Sequence, residues 1–167
     1  HDLDYEKHPS LDEHPTVGVA ELARLGYPED VRTAILGHAP YLGVPRETDM
    51  AKALFAVDEL SGFVTAVAFV RPDKLDGMTP RSVKKKLKDK RFAAAVSRED
   101  IRQGADELGI GLDELIQIVI DGMAREASRL DLAPQFKGAG QGDRLLVAAA
   151  DPDGPRIDAA VAGVDND

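Results

Sequence analysis

The sequence predicts an all-α protein with an irregular or weakly β C-terminal tail. Apolar residues recur at helical spacing through the first 130 residues, and no stretch before residue 140 alternates with a period of two. The composition then shifts towards Gly, Ala, Asp and Pro. We therefore expect a helical domain over residues 1–130 and a tail over residues 131–167.

Glycine and proline mark the boundaries of the first elements. Residues 1–12 are predicted to form the end of a helix and then a loop, because Pro9 breaks the helical pattern. A short helix is predicted over residues 13–25, closed by Gly26. Proline suits the first turn of a helix, so the next helix is predicted from Pro28 to about residue 39.

A long apolar helix is predicted after a loop rich in proline and glycine over residues 40–45. Thr48 or Asp49 is a suitable N-cap for it, and it should run to about Val70. Because apolar residues cover nearly every side of this helix, we expect it to lie at the centre of the domain.

Two polar helices are predicted next. The first begins near residue 79 and carries the basic segment of residues 81–91. The second opens at Ser97, which forms a pattern similar to a capping box with Asp100, and ends at Leu108 before a glycine.

One more amphipathic helix is predicted over residues 113–130. Beyond it, residues 144–150 and 156–164 have the composition of two short strands around a turn. A lone hairpin is marginal in water, so an acidic tail without fixed structure is an equally open alternative.

Composition and charge exclude several classes of function. The absence of cysteine excludes disulfides, thiolate metal sites and cysteine nucleophiles, and it fits a cytoplasmic protein. No uncharged apolar run reaches the roughly 18 residues that a membrane span needs. The net charge of −9 argues against general nucleic-acid binding. Residues 81–91 carry seven bases and one acid, which predicts either an anion site or a solvated helix face.

A group of histidines and carboxylates predicts a metal site. Asp58 lies inside an apolar segment, where a carboxylate is costly to bury unless a cation compensates it. All four histidines lie within the first 38 residues, and of these His8 is predicted to be a surface residue. Imidazole and carboxylate ligands suit Fe, Mn, Zn, Co or Ni. The predicted ligands of one or two such divalent ions are His1, Asp2, His14, His38 and Asp58.

An ordered set of motifs connects these candidates. It consists of His1-Asp2-Leu3-Asp4-Tyr5-Glu6, Val57-Asp58-Glu59-Leu60-Ser61-Gly62, Val70-Arg71-Pro72, and a run from Lys84-Lys85-Lys86 to Phe92-Ala93. The set resembles the HD superfamily of metal-dependent phosphohydrolases, and most closely its small bacterial HD-domain proteins. The resemblance covers residues 1 to about 130 and implies an HD-domain-like helical bundle.

The resemblance also implies roles for individual residues. His1 and Asp2 match the His-Asp pair of the superfamily, Asp58 matches its distant Asp, and His14 and His38 match the histidines of two-metal members. The first-ligand His of the superfamily would precede His1, so the chain is expected to lack its first helix.

The implied reaction is hydrolysis of a small phosphorylated metabolite or nucleotide by a metal-activated water. Asp2 is the natural bridge between two ions. Asp4 is predicted either to orient or deprotonate the water, or to support the ligand residues. The predicted contacts to substrate phosphate are Arg71, Lys84 and Lys85. Superfamily members often have Gly-Lys where this chain has Asp4-Tyr5, so their substrate contacts do not transfer directly.

Two other functions fit the same residues. The first is a non-catalytic HD-fold module that binds a metal or nucleotide, or docks a partner through its basic helix. The second is a nucleic-acid-binding domain that uses residues 81–91, against which the net charge of −9 argues.

Overall fold

The computed structural model describes residues 1–134, which form six α-helices and one 3₁₀ turn with no strand in that range. The all-α prediction is therefore confirmed for these residues. The predicted strands at residues 144–150 and 156–164 lie outside the described part of the chain. In chain order the elements are α1 (Thr16–Arg24), α2 (Glu29–His38), a 3₁₀ turn (Pro40–Leu42), α3 (Asp49–Phe69), α4 (Pro80–Leu87), α5 (Arg98–Leu108) and α6 (Leu112–Arg125).

Side-chain caps begin the helices where the sequence predicted them. The Thr48 hydroxyl accepts a hydrogen bond from the Ala51 amide at the start of α3. Thr79 and Ser82 form a reciprocal capping box at the start of α4. Both caps satisfy amide groups that have no partner within the first turn of a helix.

One of the two hydrogen bonds predicted for the cap of α5 has a different partner. The Ser97 hydroxyl accepts from the Asp100 amide as expected, but the Ser97 amide donates to Glu59 of α3, at 3.0 Å. The predicted capping box between Ser97 and Asp100 is thus completed by a carboxylate from another helix. Burial raises the pKa of Glu59. This contact fixes the start of α5 against the middle of α3.

Helix α3 lies at the centre of the domain, as its apolar sequence predicted. It packs against α2 on one side and against α4, α5 and α6 on others. Leu60, Phe63 and Val64 on α3 are fully buried in the main core. A smaller core between α1 and α2 contains Val19, Leu22 and Ile35.

Close backbone contact joins α5 to α3. A Cβ atom on Gly104 would lie 2.5 Å from the Ala56 Cα, so only glycine allows this approach. Near the C-terminus of α5, the Arg46 guanidinium forms a bidentate ion pair with Glu107, at 2.6 and 2.7 Å. Arg46 also donates to the carbonyl of Gly37, so one side chain connects the end of α2 with α5.

Three boundaries differ from the prediction. Residues 1–8 form hydrogen-bonded turns rather than the end of a helix. The basic segment is helical only to Leu87, because Arg98 donates to the carbonyl groups of the following turns. Helix α6 ends at Arg125 rather than near residue 130, since the chain turns there and buries Leu132 in the core.

Within residues 1–134, no helix combines the length and the apolar character needed to cross a membrane.

Candidate metal centre

The fold brings the five predicted metal ligands together from four places in the chain. His1 and Asp2 lie on the N-terminal turn, His14 just before α1, His38 at the last residue of α2, and Asp58 midway along α3. We call this group the His/Asp cluster.

Distances within the His/Asp cluster are short. The Nε2 atom of His1 lies 3.1 Å from an Asp2 oxygen and 3.2 Å from an Asp58 oxygen. The other Asp2 oxygen lies 3.5 Å from the His14 Nε2 atom and 3.7 Å from the His38 Nε2 atom. All three imidazole rings therefore turn their Nε2 atoms towards carboxylates.

The Asp4 carboxylate contacts the Nδ1 atom of His14, on the side of the ring away from Asp2. The Nδ1 atom of His14 lies 2.7 Å from Oδ1 of Asp4, which is itself buried. The other Asp4 oxygen accepts from the Gly18 amide at 2.6 Å. Burial raises the pKa of Asp4, but the hydrogen bonds from His14 and Gly18 outweigh it, and the pKa is lowered overall. An ionised Asp4 can only accept, so the His14 Nδ1 atom carries the proton.

A backbone carbonyl holds His38 in the same way. Its Nδ1 atom lies within hydrogen-bond distance of the Ile35 carbonyl, one of the groups at the end of α2 that lack an amide partner. A carbonyl oxygen can only accept, so this Nδ1 atom also donates. His38 is the last residue of α2, and only the last turn of a helix has backbone carbonyls that are free to accept from a side chain.

These two contacts define the chemistry of the cluster. A neutral imidazole that donates through Nδ1 has a lone pair on Nε2. His14 and His38 therefore direct two lone pairs towards an Asp2 oxygen, which is also an acceptor. Such a group of acceptors lacks a positive charge between them, and a cation with nitrogen and oxygen ligands fits it.

Two sets of three ligands have donor atoms within 4.8 Å of one another: His1, His38 and Asp58, and Asp2, His14 and His38. His38 belongs to both sets, yet only its Nε2 atom is free to bind an ion. The two sets therefore describe neighbouring positions that share one imidazole.

One half of the cluster is open to solvent and the other half is buried. The side chains of His14 and His38 are 9% and 8% exposed, whereas Asp2 is 56% exposed. His1 and Asp58 are intermediate, at 27% and 29%. The hydrogen bond that His1 donates to Asp58 raises the pKa of His1 against the opposing effect of burial. A ligand from solution would reach the cluster on the side of Asp2.

Within residues 1–134, none of the predicted phosphate contacts forms a hydrogen bond or ion pair with this cluster. Arg71 follows α3, roughly 20 Å along the helix axis from Asp58, and donates to the carbonyl groups of two nearby loop residues. Lys84 forms an ion pair with Asp113 at 2.6 Å, and Lys85 is exposed on α4. Their role in binding substrate phosphate stays a prediction.

Sequence reasoning missed the groups that support His14. The Gly18 amide holds Asp4, the Tyr41 hydroxyl donates to the His14 carbonyl, and the Tyr5 ring meets the His14 ring edge-on at 5.2 Å. No spacing rule connects these residues, because the contacts form between separate turns. The buried position of Asp4 favours the supporting role among the two that were predicted for it.

No family model, curated protein or solved structure matches this chain. Membership of the HD superfamily therefore stays a prediction based on the ordered motifs.

Proposed function

We propose that the His/Asp cluster binds one or two divalent metal ions and that the protein is a metal-dependent phosphohydrolase. Its substrate would be a small phosphorylated metabolite or nucleotide. One observation carries the proposal: the partners of the Nδ1 atoms leave the Nε2 lone pairs of His14 and His38 directed at the acceptor oxygen of Asp2. Fe, Mn, Zn, Co and Ni all suit this set of ligands.

The buried and the exposed residues of the cluster would have different roles. A divalent metal, when bound, would lower the pKa of a water and neutralise charge on a phosphoryl oxygen. His14 and His38 are buried, and their Nδ1 atoms are hydrogen-bonded, so they would provide the rigid part of the site. Asp2, His1 and Asp58 would complete the ligand set on the open side, where a substrate can approach.

A non-catalytic metal-binding module is the second candidate, and one observation favours it. Among residues 1–134, no Lys or Arg side chain forms a hydrogen bond or ion pair with a residue of the His/Asp cluster. Phosphohydrolases use such cations to neutralise charge on the transferring phosphoryl group. A site without them would hold a metal and a ligand without hydrolysing it.

The first experiment measures metal content. The protein is stripped with a chelator, dialysed, exposed separately to Mn, Fe, Zn, Co and Ni, and analysed for elements. We expect one or two ions per chain for at least one metal, and a large loss of affinity in Asp58→Ala and in His38→Ala. His8→Ala is the matched control, because His8 pairs with Glu13 outside the cluster. If no metal binds, or if all three variants behave alike, both candidates fail.

The second experiment separates the two candidates. The metal-loaded protein is screened against an aryl phosphate and a panel of nucleoside and sugar phosphates, with phosphate release as the readout. Hydrolysis that requires metal and is lost in Asp2→Asn supports the phosphohydrolase. Stoichiometric metal without hydrolysis of any ester supports the binding module.

A further inference from the structure

A second candidate binding site lies between α4, α5 and α6. It is a cavity of about 180 Å³ between α4, α5 and the start of α6. Its lining consists of four basic and three aliphatic side chains: Lys84, Lys88, Arg98 and Arg102, with Leu87, Ile101 and Leu112.

Positive charge is concentrated around this cavity although the protein has a net charge of −9. Lys84 is neutralised by Asp113, at 2.6 Å. Within the described part of the chain, Lys88, Arg98 and Arg102 have no carboxylate within ion-pair distance. Three uncompensated cations around one small cavity repel one another, and an anion in the cavity would relieve that repulsion.

Arg98 is held in place before any ligand arrives. Its two terminal nitrogens donate to backbone carbonyls of the turns between α4 and α5, including those of Ala93 and Val96. These carbonyls are uncharged, so they fix the guanidinium without neutralising it. Its Nε atom is buried and has no hydrogen-bond partner, which is true of no other buried side-chain nitrogen or oxygen in residues 1–134. All four terminal N–H groups of Arg98 donate to backbone carbonyls, so Arg98 attracts an anion through its charge rather than through hydrogen bonds.

The aliphatic wall indicates what else the ligand carries. Ile101 is buried, and Leu87 and Leu112 are partly buried beside the basic groups. A free inorganic ion would leave this wall in contact with water, whereas a short hydrocarbon group would cover it. Three uncompensated cations match a dianion better than a monoanion, and guanidinium groups suit phosphate oxygens.

We propose that this cavity binds a small organic phosphate, a phosphate monoester with a short aliphatic group. None of the residues that line this cavity belongs to the His/Asp cluster. In residues 1–134, no cavity side chain forms a hydrogen bond or ion pair with a cluster residue. The inference is therefore independent of whether the cluster binds metal.

The test is an NMR titration of the full chain, stripped of metal and dialysed, with methyl phosphate and n-butyl phosphate as probes. We expect saturable amide shifts around Lys88, Arg102 and Leu112. n-Butyl phosphate should bind more tightly, by up to about fourfold for each methylene group that is buried. Leu112→Ala should reduce this difference between the two probes.

Charge-neutral variants distinguish a built site from diffuse attraction. Lys88→Gln and Arg102→Gln should each weaken binding by about three- to tenfold. Lys90→Gln and Arg91→Gln are matched controls, because both residues are exposed in the same basic segment but do not line the cavity. Circular dichroism verifies that each variant is folded.

Three results would overturn the proposal. Equal weakening in Lys88→Gln and Lys90→Gln would show attraction to the whole basic segment. Shifts centred on His14 and His38 would place the phosphate at the His/Asp cluster instead. If neither probe saturates at millimolar concentration, the cavity does not bind a phosphate monoester.

Discussion

Asp4→Asn tests whether a buried carboxylate sets the tautomer of His14. The Gly18 amide, 2.6 Å from one Asp4 oxygen, can only donate. An asparagine must therefore turn its single carbonyl oxygen to Gly18 and its NH₂ group to the Nδ1 atom of His14. That Nδ1 atom must then accept, so the proton moves to Nε2 and the lone pair that faces Asp2 is lost.

The magnitude follows from the loss of one ligand. Removing the carboxylate partner of a metal-binding histidine weakens metal affinity by about 10- to 100-fold, or about 1.4 to 2.7 kcal/mol. Unfolding free energy should also fall, by about 1 to 3 kcal/mol, because two charge-assisted hydrogen bonds are weakened in a buried place. The change should act on His14 alone, since His38 is held by a backbone carbonyl.

Two assays follow the substitution. Competition with a metal indicator gives the change in affinity, and nitrogen-15 spectra of the imidazole give the protonated atom of His14. Asp12→Asn is the matched control, because Asp12 is exposed on the same N-terminal segment. An unchanged metal affinity with the proton still on Nδ1 in Asp4→Asn would refute the reasoning.

Two further predictions concern stability. Gly104→Ala should destabilise the fold by about 1 to 3 kcal/mol, because the new Cβ would lie 2.5 Å from the Ala56 Cα and force α5 away from α3. Glu107→Gln should lower the unfolding free energy by about 1 kcal/mol at neutral pH and by much less in acid. The hydrogen bond from Arg46 lowers the pKa of Glu107, so its stabilisation is present above the ordinary value of 4.5 and is lost as pH falls through the lowered pKa.

Urea unfolding checks both predictions, and each has its own control. Gly122→Ala on α6 should stabilise the protein by about 0.5 to 1 kcal/mol, because no atom lies within 4 Å of the new Cβ. Equal effects of the two glycine substitutions would contradict the argument from close packing. A Glu107→Gln effect that is the same at pH 3 and pH 7 would contradict the ion-pair argument.

The sequence predicted the helices well because their signals are local. Thr48, Ser97 and Gly109 act within one turn of the helix that they begin or end, and the structure places all three at those boundaries. The errors arise where a residue distant in sequence determines where a helix ends. Arg98 fixes the turns after α4, and burial of Leu132 turns the chain after α6. Neither contact has a signature in a short window of sequence.

The same distinction applies to the candidate site. The ligand residues could be proposed from residue types and motif order, and they lie together in the structure. The supporting contacts could not, because the Asp4–His14 pair and its Gly18 donor depend on how separate turns meet. The phosphate contacts were assigned by charge, and charge alone does not determine where a side chain lies, so their role stays a prediction; Lys84 forms an ion pair with Asp113.

The asymmetry of the His/Asp cluster favours a site that exchanges its ligands. A purely structural metal site is closed, with all ligands buried and every coordination position filled by protein. Here the two most buried candidate ligands, His14 and His38, are fixed by hydrogen bonds at their Nδ1 atoms, while Asp2 is more than half exposed. A rigid half sets the position of an ion, and an exposed half leaves room for water and substrate beside it. The buried Asp4 carboxylate contacts His14 and would act on a bound metal only through the orientation and protonation of that histidine.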